Sequence, residues 1–415
     1  MTLNRHEGRL NPRTFELKNG LTCVLNRNAA SASVSYMMGF VGGLKEEAAR
    51  KNGCFNVLSR MLLKGTGKKD AQAIAREIDV LAGSIDPIAG KNIFALCGTF
   101  LSKDLKESLA LLKDLITDSA MSGQQLRKVK EDVLSEIRQK DDEPVSVAFK
   151  EMHKVLYGGH PYGKDVSGTA EHVTGLTRKE ITTLYKTYVS PGSAVLAISG
   201  NIDLMETEER ARRIFSRWGG GVHTLEAVLH EASRKEHLVN REIFQTHMIF
   251  AFLGPGVVSA DRYPVEVMNG ALSRMGGRIH KRLREERPYA YAVTFFNQMA
   301  YETGALGIYI GTDQKHVEDV KRVVVHEIEE ICEQGFSEEE IANARKYLTG
   351  NQRARMQTNS AIVSSMCLDT MYGLKADHYR RWPALINNVT KQDVDVAARK
   401  YLLLDRMVTI QLGPS

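Results

Sequence analysis

Thr177-Arg178-Lys179-Glu180-Ile181 opens a segment that returns in kind 213 positions later as Thr390-Lys391-Gln392-Asp393-Val394. In both places a threonine at a helix N-cap precedes a tyrosine-bearing helical stretch, with Tyr185 and Tyr188 in the first and Tyr401 in the second. Both then run into an apolar strand that ends in glycine. One reads Ala194-Val195-Leu196-Ala197-Ile198-Ser199-Gly200, the other Met407-Val408-Thr409-Ile410-Gln411-Leu412-Gly413. Gly200 and Gly413 keep the offset of 213, as do Gly98-Thr99 and Gly311-Thr312, each pair lying after an apolar strand and before an amphipathic helix. Ser122-Gly123-Gln124-Gln125-Leu126 and Ser337-Glu338-Glu339-Glu340-Ile341 both read as helix starts, the second with an N-cap and an acid at N3. Matched landmarks in one order mean two homologous halves.

Within a half, strands and helices alternate irregularly. Residues 15–25 read as a hairpin with Asn19-Gly20 as a two-residue turn. Residues 33–39 and 246–253 read as central strands, and 71–81, 105–116 and 317–331 carry apolar residues at helical spacing. Hairpins mixed with helices predict an α+β class: two homologous domains, each a largely antiparallel sheet backed by helices. The run Trp218-Gly219-Gly220-Gly221-Val222 and the polar stretch to His237 read as a linker. The expected division is therefore 1–217, linker 218–238, and 239–415.

Composition narrows the function. The 415 residues are 43% hydrophobic and 26% charged, with a formal net charge of +6 spread along the chain. A nucleic-acid surface calls for clustered basic residues, and no such block occurs. Cys23, Cys54, Cys97, Cys332 and Cys367 are dispersed without metal-ligand or C-x-x-C spacing, and read as small buried side chains in a reducing compartment. Residues 1–11 hold Arg5, His6 and Arg9 and no apolar core of a signal peptide, and no window nears about 18 uninterrupted apolar residues. A cytoplasmic protein without membrane contact is expected. His223, His230 and His237 repeat every seven residues, about 10 Å apart on a helix; they read as a solvated linker face.

The stretch Gly53-Cys54-Phe55-Asn56-Val57-Leu58-Ser59-Arg60-Met61-Leu62-Leu63-Lys64-Gly65-Thr66 is similar to the zinc helix of the insulinase (pitrilysin) family of peptidases. There a glycine opens a helix bearing H-x-x-E-H, then apolar residues, then Lys-Gly-Thr. Two histidines four apart chelate zinc on one helix face, and the glutamate between activates a water. Here the frame persists while those positions hold Asn56, Ser59 and Arg60. Asparagine is a poor zinc ligand, arginine keeps its proton, and serine is no carboxylate base. The family's third ligand is a glutamate on a later helix, and the resemblance places it at Glu136, 76 positions after Arg60; the supporting acid seven residues earlier falls on Val129. No family-type metal site is expected in this chain. Arg60 and Glu136 are instead candidates for an ion pair across the vacated site, which if buried would cost on the order of 3–5 kcal/mol to break.

The second half keeps what the first lacks. Leu272-Ser273-Arg274-Met275-Gly276-Gly277-Arg278-Ile279 resembles the family's Gly-rich loop, with Gly276 and Gly277 at its glycines. Leu283-Arg284-Glu285-Glu286-Arg287-Pro288-Tyr289-Ala290-Tyr291 resembles the segment whose Arg and Tyr reach substrate and the developing oxyanion. Arg284 and Tyr291 fall on those two positions. Gly158-Gly159-His160-Pro161-Tyr162-Gly163 resembles a family loop in which His160 is read as structural.

The resemblance covers nearly the whole chain and implies two domains facing each other across a chamber. It implies a non-catalytic subunit of a heterodimeric zinc endopeptidase acting on unfolded peptides. Zinc would sit in a partner of the same family, with no cofactor in this chain and no catalytic residue in this chain alone. The alternative is a homodimeric structural or peptide-binding scaffold with no proteolytic role.

Overall fold

The computed structural model describes residues 12–414 except 229, 274–277 and 287. Two compact units emerge. The first comprises the chain through Ile137, Asp165–Glu226 and Arg355–Arg381; the second comprises Arg138–Lys164, Ala227–Ala354 and the chain from Trp382.

The first unit holds β1 (Arg13–Glu16), β2 (Thr22–Arg27), β3 (Ser33–Val41), β4 (Ser84–Ala89), β5 (Ile93–Leu101) and β6 (Ala194–Gly200). They lie in the order β1-β2-β6-β3-β5-β4, with only β2 and β6 parallel. The second holds β7 (Lys235–Asn240), β8 (Thr246–Pro255), β9 (Ala290–Met299), β10 (Thr303–Thr312) and β11 (Val408–Gly413), in the order β7-β11-β8-β10-β9. Its one parallel pair is β7 with β11. The second sheet thus repeats the first from β2 to β4, and each is largely antiparallel as expected. The two threonines that mark the repeat close reciprocal capping boxes, Thr177 with Glu180 and Thr390 with Asp393, each cap worth ~1 kcal/mol.

Alternating strand residues send apolar side chains to both faces. On one face of the first sheet, Tyr36, Phe40, Leu96 and Leu196 pack with Phe55, Leu58 and Leu112 from helices. On the other, Met37, Ala95 and Val195 meet Ile362, Met366 and Cys367 of the helix Asn359–Met371. Gly39 makes room for that helix, since a Cβ there would come within 2.7 Å of both Cys367 Sγ and Met371 Sδ. In the second unit the helix Pro144–Tyr157 plays the same part, laying Val147, Ala148 and Met152 among Ile249, Ala251, Val408 and Ile410. Each sheet is therefore finished by a helix from the other half of the sequence.

Two local expectations are corrected. Leu17 and Leu21 still pair, so the first hairpin turns through the three residues Lys18-Asn19-Gly20, with Gly20 at φ 87° in the left-handed position such a loop needs. The end of the expected linker is strand: Lys235 onward forms the edge strand β7, whose side chains are mostly exposed and lack a strong alternation. The five cysteines are free thiols, and burial raises all of them, Cys23 and Cys97 to about 12. They act as packing residues.

Candidate functional site

In the first unit the helix Cys54–Met61 begins at Gly53, which is left-handed at φ 93° and packed so that a Cβ would lie 2.8 Å from Ser167 O. A glycine supplies no capping side chain, and the free N–H groups at this end need another acceptor. Glu47 provides it. Its buried carboxylate accepts from Gly53 N at 2.9 Å, Phe55 N at 3.3 Å and the Asn52 side chain at 2.8 Å. Hydrogen bonds to a charged group contribute roughly 1.5–3 kcal/mol each, and a negative charge also suits a helix N-terminus.

Asn56, Ser59 and Arg60 sit on this helix, and Glu136 on the helix Gly123–Asp142, pinned by buried Val129, Val133 and Ile137. Arg60 donates from Nη1 and Nη2 to the two Glu136 oxygens, at 2.7 Å each, and from Nε to Asn56 Oδ1 at 3.0 Å. Ser59 turns its hydroxyl back to Asn56 O at 2.9 Å. These residues do not fit zinc. A fixed guanidinium cation stands between the amide and the carboxylate, and the one true ligand type, Glu136, is already bound to it bidentately. Among the described residues no group of three or more His, Cys, Asp or Glu is arranged to hold a metal ion.

The pair is not buried, which corrects the expected energy. The Arg60 and Glu136 side chains are 27% and 44% exposed, so water screens the attraction and its worth falls to about 1 kcal/mol. Glu136→Gln should lower the melting temperature of the chain by roughly 2–4 °C, read by calorimetry. A drop beyond twice that would mean the pair is effectively desolvated.

In the second unit, Arg278–His280 is one helical turn and Lys281–Glu286 continues as a π-helical turn. Gly276 and Gly277 lie outside the described residues. Leu283 is fully buried, and Tyr289 N closes onto Leu283 O at 3.1 Å. Arg284 is exposed and has no hydrogen-bond or ion-pair partner among the described residues. Tyr291 is the second residue of β9, an edge strand of its sheet, and is 57% exposed. Its hydroxyl donates to Asp313 Oδ2 at 2.8 Å, and that bond holds the phenol above its ordinary pKa. No hydrogen bond joins Arg284 and Tyr291 among the described residues.

His160 is buried, accepts from Tyr162 N at Nδ1 and lies 3.4 Å from Glu302, which fits a structural role. The three spaced histidines are half-buried and go separate ways, which corrects the picture of a solvated face. His223 meets Thr187 O at 3.0 Å, His230 meets Leu156 O at 2.9 Å, and His237 lies 3.2 Å from Glu151. Glu47 escaped the sequence reading, although a helix that opens on glycine with no capping side chain is a signal to seek an acid nearby. Among the described residues no helix is long and apolar enough to cross a membrane.

Comparison with known proteins bears on the whole chain. Residues 22–170 match the family model described as insulinase (peptidase family M16), and residues 175–348 match the peptidase M16 inactive domain. An uncharacterized zinc protease of Streptomyces coelicolor is 25% identical over 404 residues, covering 94% of this chain and 87% of that one. A peptidase M16 inactive domain from Pseudomonas fluorescens shares the fold with a TM-score of 0.89 at 21% identity, over 98% of both chains. A chain of complex III2 from Candida albicans does so with a TM-score of 0.84 at 16% identity, over 97% of this chain and 95% of that one. With its two repeated α+β units and its matches over most of its length, the chain belongs to the insulinase (M16) family of peptidases.

Proposed function

We propose that this chain is the non-catalytic subunit of a two-chain zinc endopeptidase. It pairs with a zinc-bearing relative and offers Arg284 and Tyr291 to an unfolded or extended peptide held at that partner's metal. One observation carries the reading: Arg60 and Glu136, which the resemblance places at zinc-ligand positions, pair with each other, while Arg284 is exposed on an anchored turn and has no partner among the described residues. A guanidinium whose donors have no partner among the described residues suits a carbonyl oxygen that gains negative charge during hydrolysis. The likeness to a chain of complex III2 supports a second reading, a scaffold that pairs with itself and cleaves nothing.

A peptidase assay with metal analysis separates the two. Under the first reading, the purified chain alone is zinc-free and inert, and its mixture with an intact H-x-x-E-H relative from the same genome cleaves peptides faster than that relative alone. An inert mixture, with the chain pairing only with itself, transfers the case to the scaffold. Stoichiometric zinc on the chain alone would overturn both.

A further inference from the structure

Arg284 is one of three arginines on the same short segment, and the other two are committed to anchoring it. Arg278 is bidentate to Glu340 at 2.7 and 2.8 Å and donates to Gly335 O at 3.1 Å. Arg282 donates to Glu330 Oε2 at 2.6 Å, and its Nε contacts Glu327 Oε1. Ile279 and Leu283 are the apolar pegs between them, 1% and 0% exposed. Residues 278 and 282, like 279 and 283, are four apart and share the inward side, which leaves Arg284 on the outward one.

Glu327 is the unusual member. It lies on the helix Val317–Gln334 with its side chain fully buried, and among the described residues neither of its oxygens has a hydrogen-bond partner, the contact with Arg282 being an ion pair. Burial pushes its carboxyl above the ordinary glutamate range, with Arg282 opposing the shift. A buried acid in contact with one cation is a poor stabilising device, because the cost of desolvating the carboxylate offsets much of the attraction. It is, however, a strict geometric one, since the arginine must meet it in one place.

We propose that Glu327 is a positioning residue: by fixing Arg282 it holds the turn Lys281–Glu286 in the form that presents Arg284 to a peptide carbonyl. This rests on the role given to Arg284 above. Glu327 touches no substrate and acts through Arg282, two residues from the presented guanidinium.

The test uses the mixed complex and the variants Glu327→Leu, Glu327→Gln and Arg284→Ala, with kcat and KM measured alongside chemical denaturation of the chain. Glu327→Leu should leave the denaturation midpoint near its original value, because the partly exposed Arg282 keeps Glu330, while kcat/KM falls about 10-fold or more, the scale set by a misplaced reacting group. Glu327→Gln, closer in shape, should lower the rate in the same direction and stands in if the leucine variant does not fold. Combined with Arg284→Ala, neither change should lower the rate further, because both act through one group. Full activity in the Glu327 variants beside a crippled Arg284→Ala complex overturns the positioning role and leaves the subunit reading intact. A further loss on the Arg284→Ala background overturns it too, since Glu327 would then act elsewhere. Full activity of Arg284→Ala itself removes the subunit reading and this inference with it.

Discussion

Arg284→Ala in the mixed complex is expected to lower kcat/KM about 10²–10³-fold, the usual loss when one donor to a developing oxyanion is removed. Assembly and stability should stay as they are, because the side chain is exposed and partnerless among the described residues. The loss should fall mainly on kcat, since a donor aimed at charge that appears only in the transition state contributes little to ground-state binding. Arg284→Lys should recover part of the rate: it keeps the cation and loses the planar fork. Tyr291→Phe is expected to cost less. The only proton of the Tyr291 hydroxyl is given to Asp313 at 2.8 Å, so it must leave that carboxylate before the hydroxyl can donate to substrate. Steady-state kinetics on the complex, with light scattering to confirm pairing, read the result. A mutant complex that turns over at the normal rate would falsify the assignment of Arg284.

What the sequence made legible follows from how local each signal is. The paired threonines and glycines gave the repeat because caps and strand ends depend on a few neighbouring residues, and both capping boxes form. The apolar runs at 33–39 and 246–253 gave central strands because both of their faces are covered, by helices on each side. The placement of the helices Pro144–Tyr157 and Asn359–Met371 was not legible. Periodicity says that a helix has an apolar face and says nothing about which sheet it covers. The edge strand β7 was missed because Lys235-Glu236-His237-Leu238-Val239-Asn240 buries too little to show alternation. At the candidate site, Arg60 and Glu136 could be named from the family resemblance, while their exposure, and with it the energy of the pair, is a property of the fold. The anchoring of Arg278 and Arg282 was hidden for the same reason: their acids lie 45 to 62 positions away along the chain.

Asn56→His combined with Arg60→His should let the chain bind a zinc ion. The backbone already brings the three corners together, since Arg60 reaches both Asn56 and Glu136 at hydrogen-bond distance. An imidazole is shorter than a guanidinium side chain, but two zinc bonds of about 2.0–2.2 Å replace one hydrogen bond and cover the same gap. With Arg60 gone, Glu136 is released from its pair and becomes a ligand, giving the two histidines and one carboxylate that zinc accepts with an open fourth position. The affinity should be about 10–100-fold poorer than a fully supported site would reach, because buried apolar Val129, two turns before Glu136, offers no carboxylate to orient a ligand. The new site should bind zinc without hydrolysing peptide, for Ser59 leaves no carboxylate to activate water. Metal analysis after dialysis and calorimetric titration read the outcome, with the single change Arg60→His as a control that lacks one ligand. About one zinc per chain in the double variant alone identifies positions 56, 60 and 136 as the corners of a lost metal site. A double variant that folds normally and binds none would show that these residues meet for structural reasons only, and the kinship of this helix to a zinc helix would be confined to its frame.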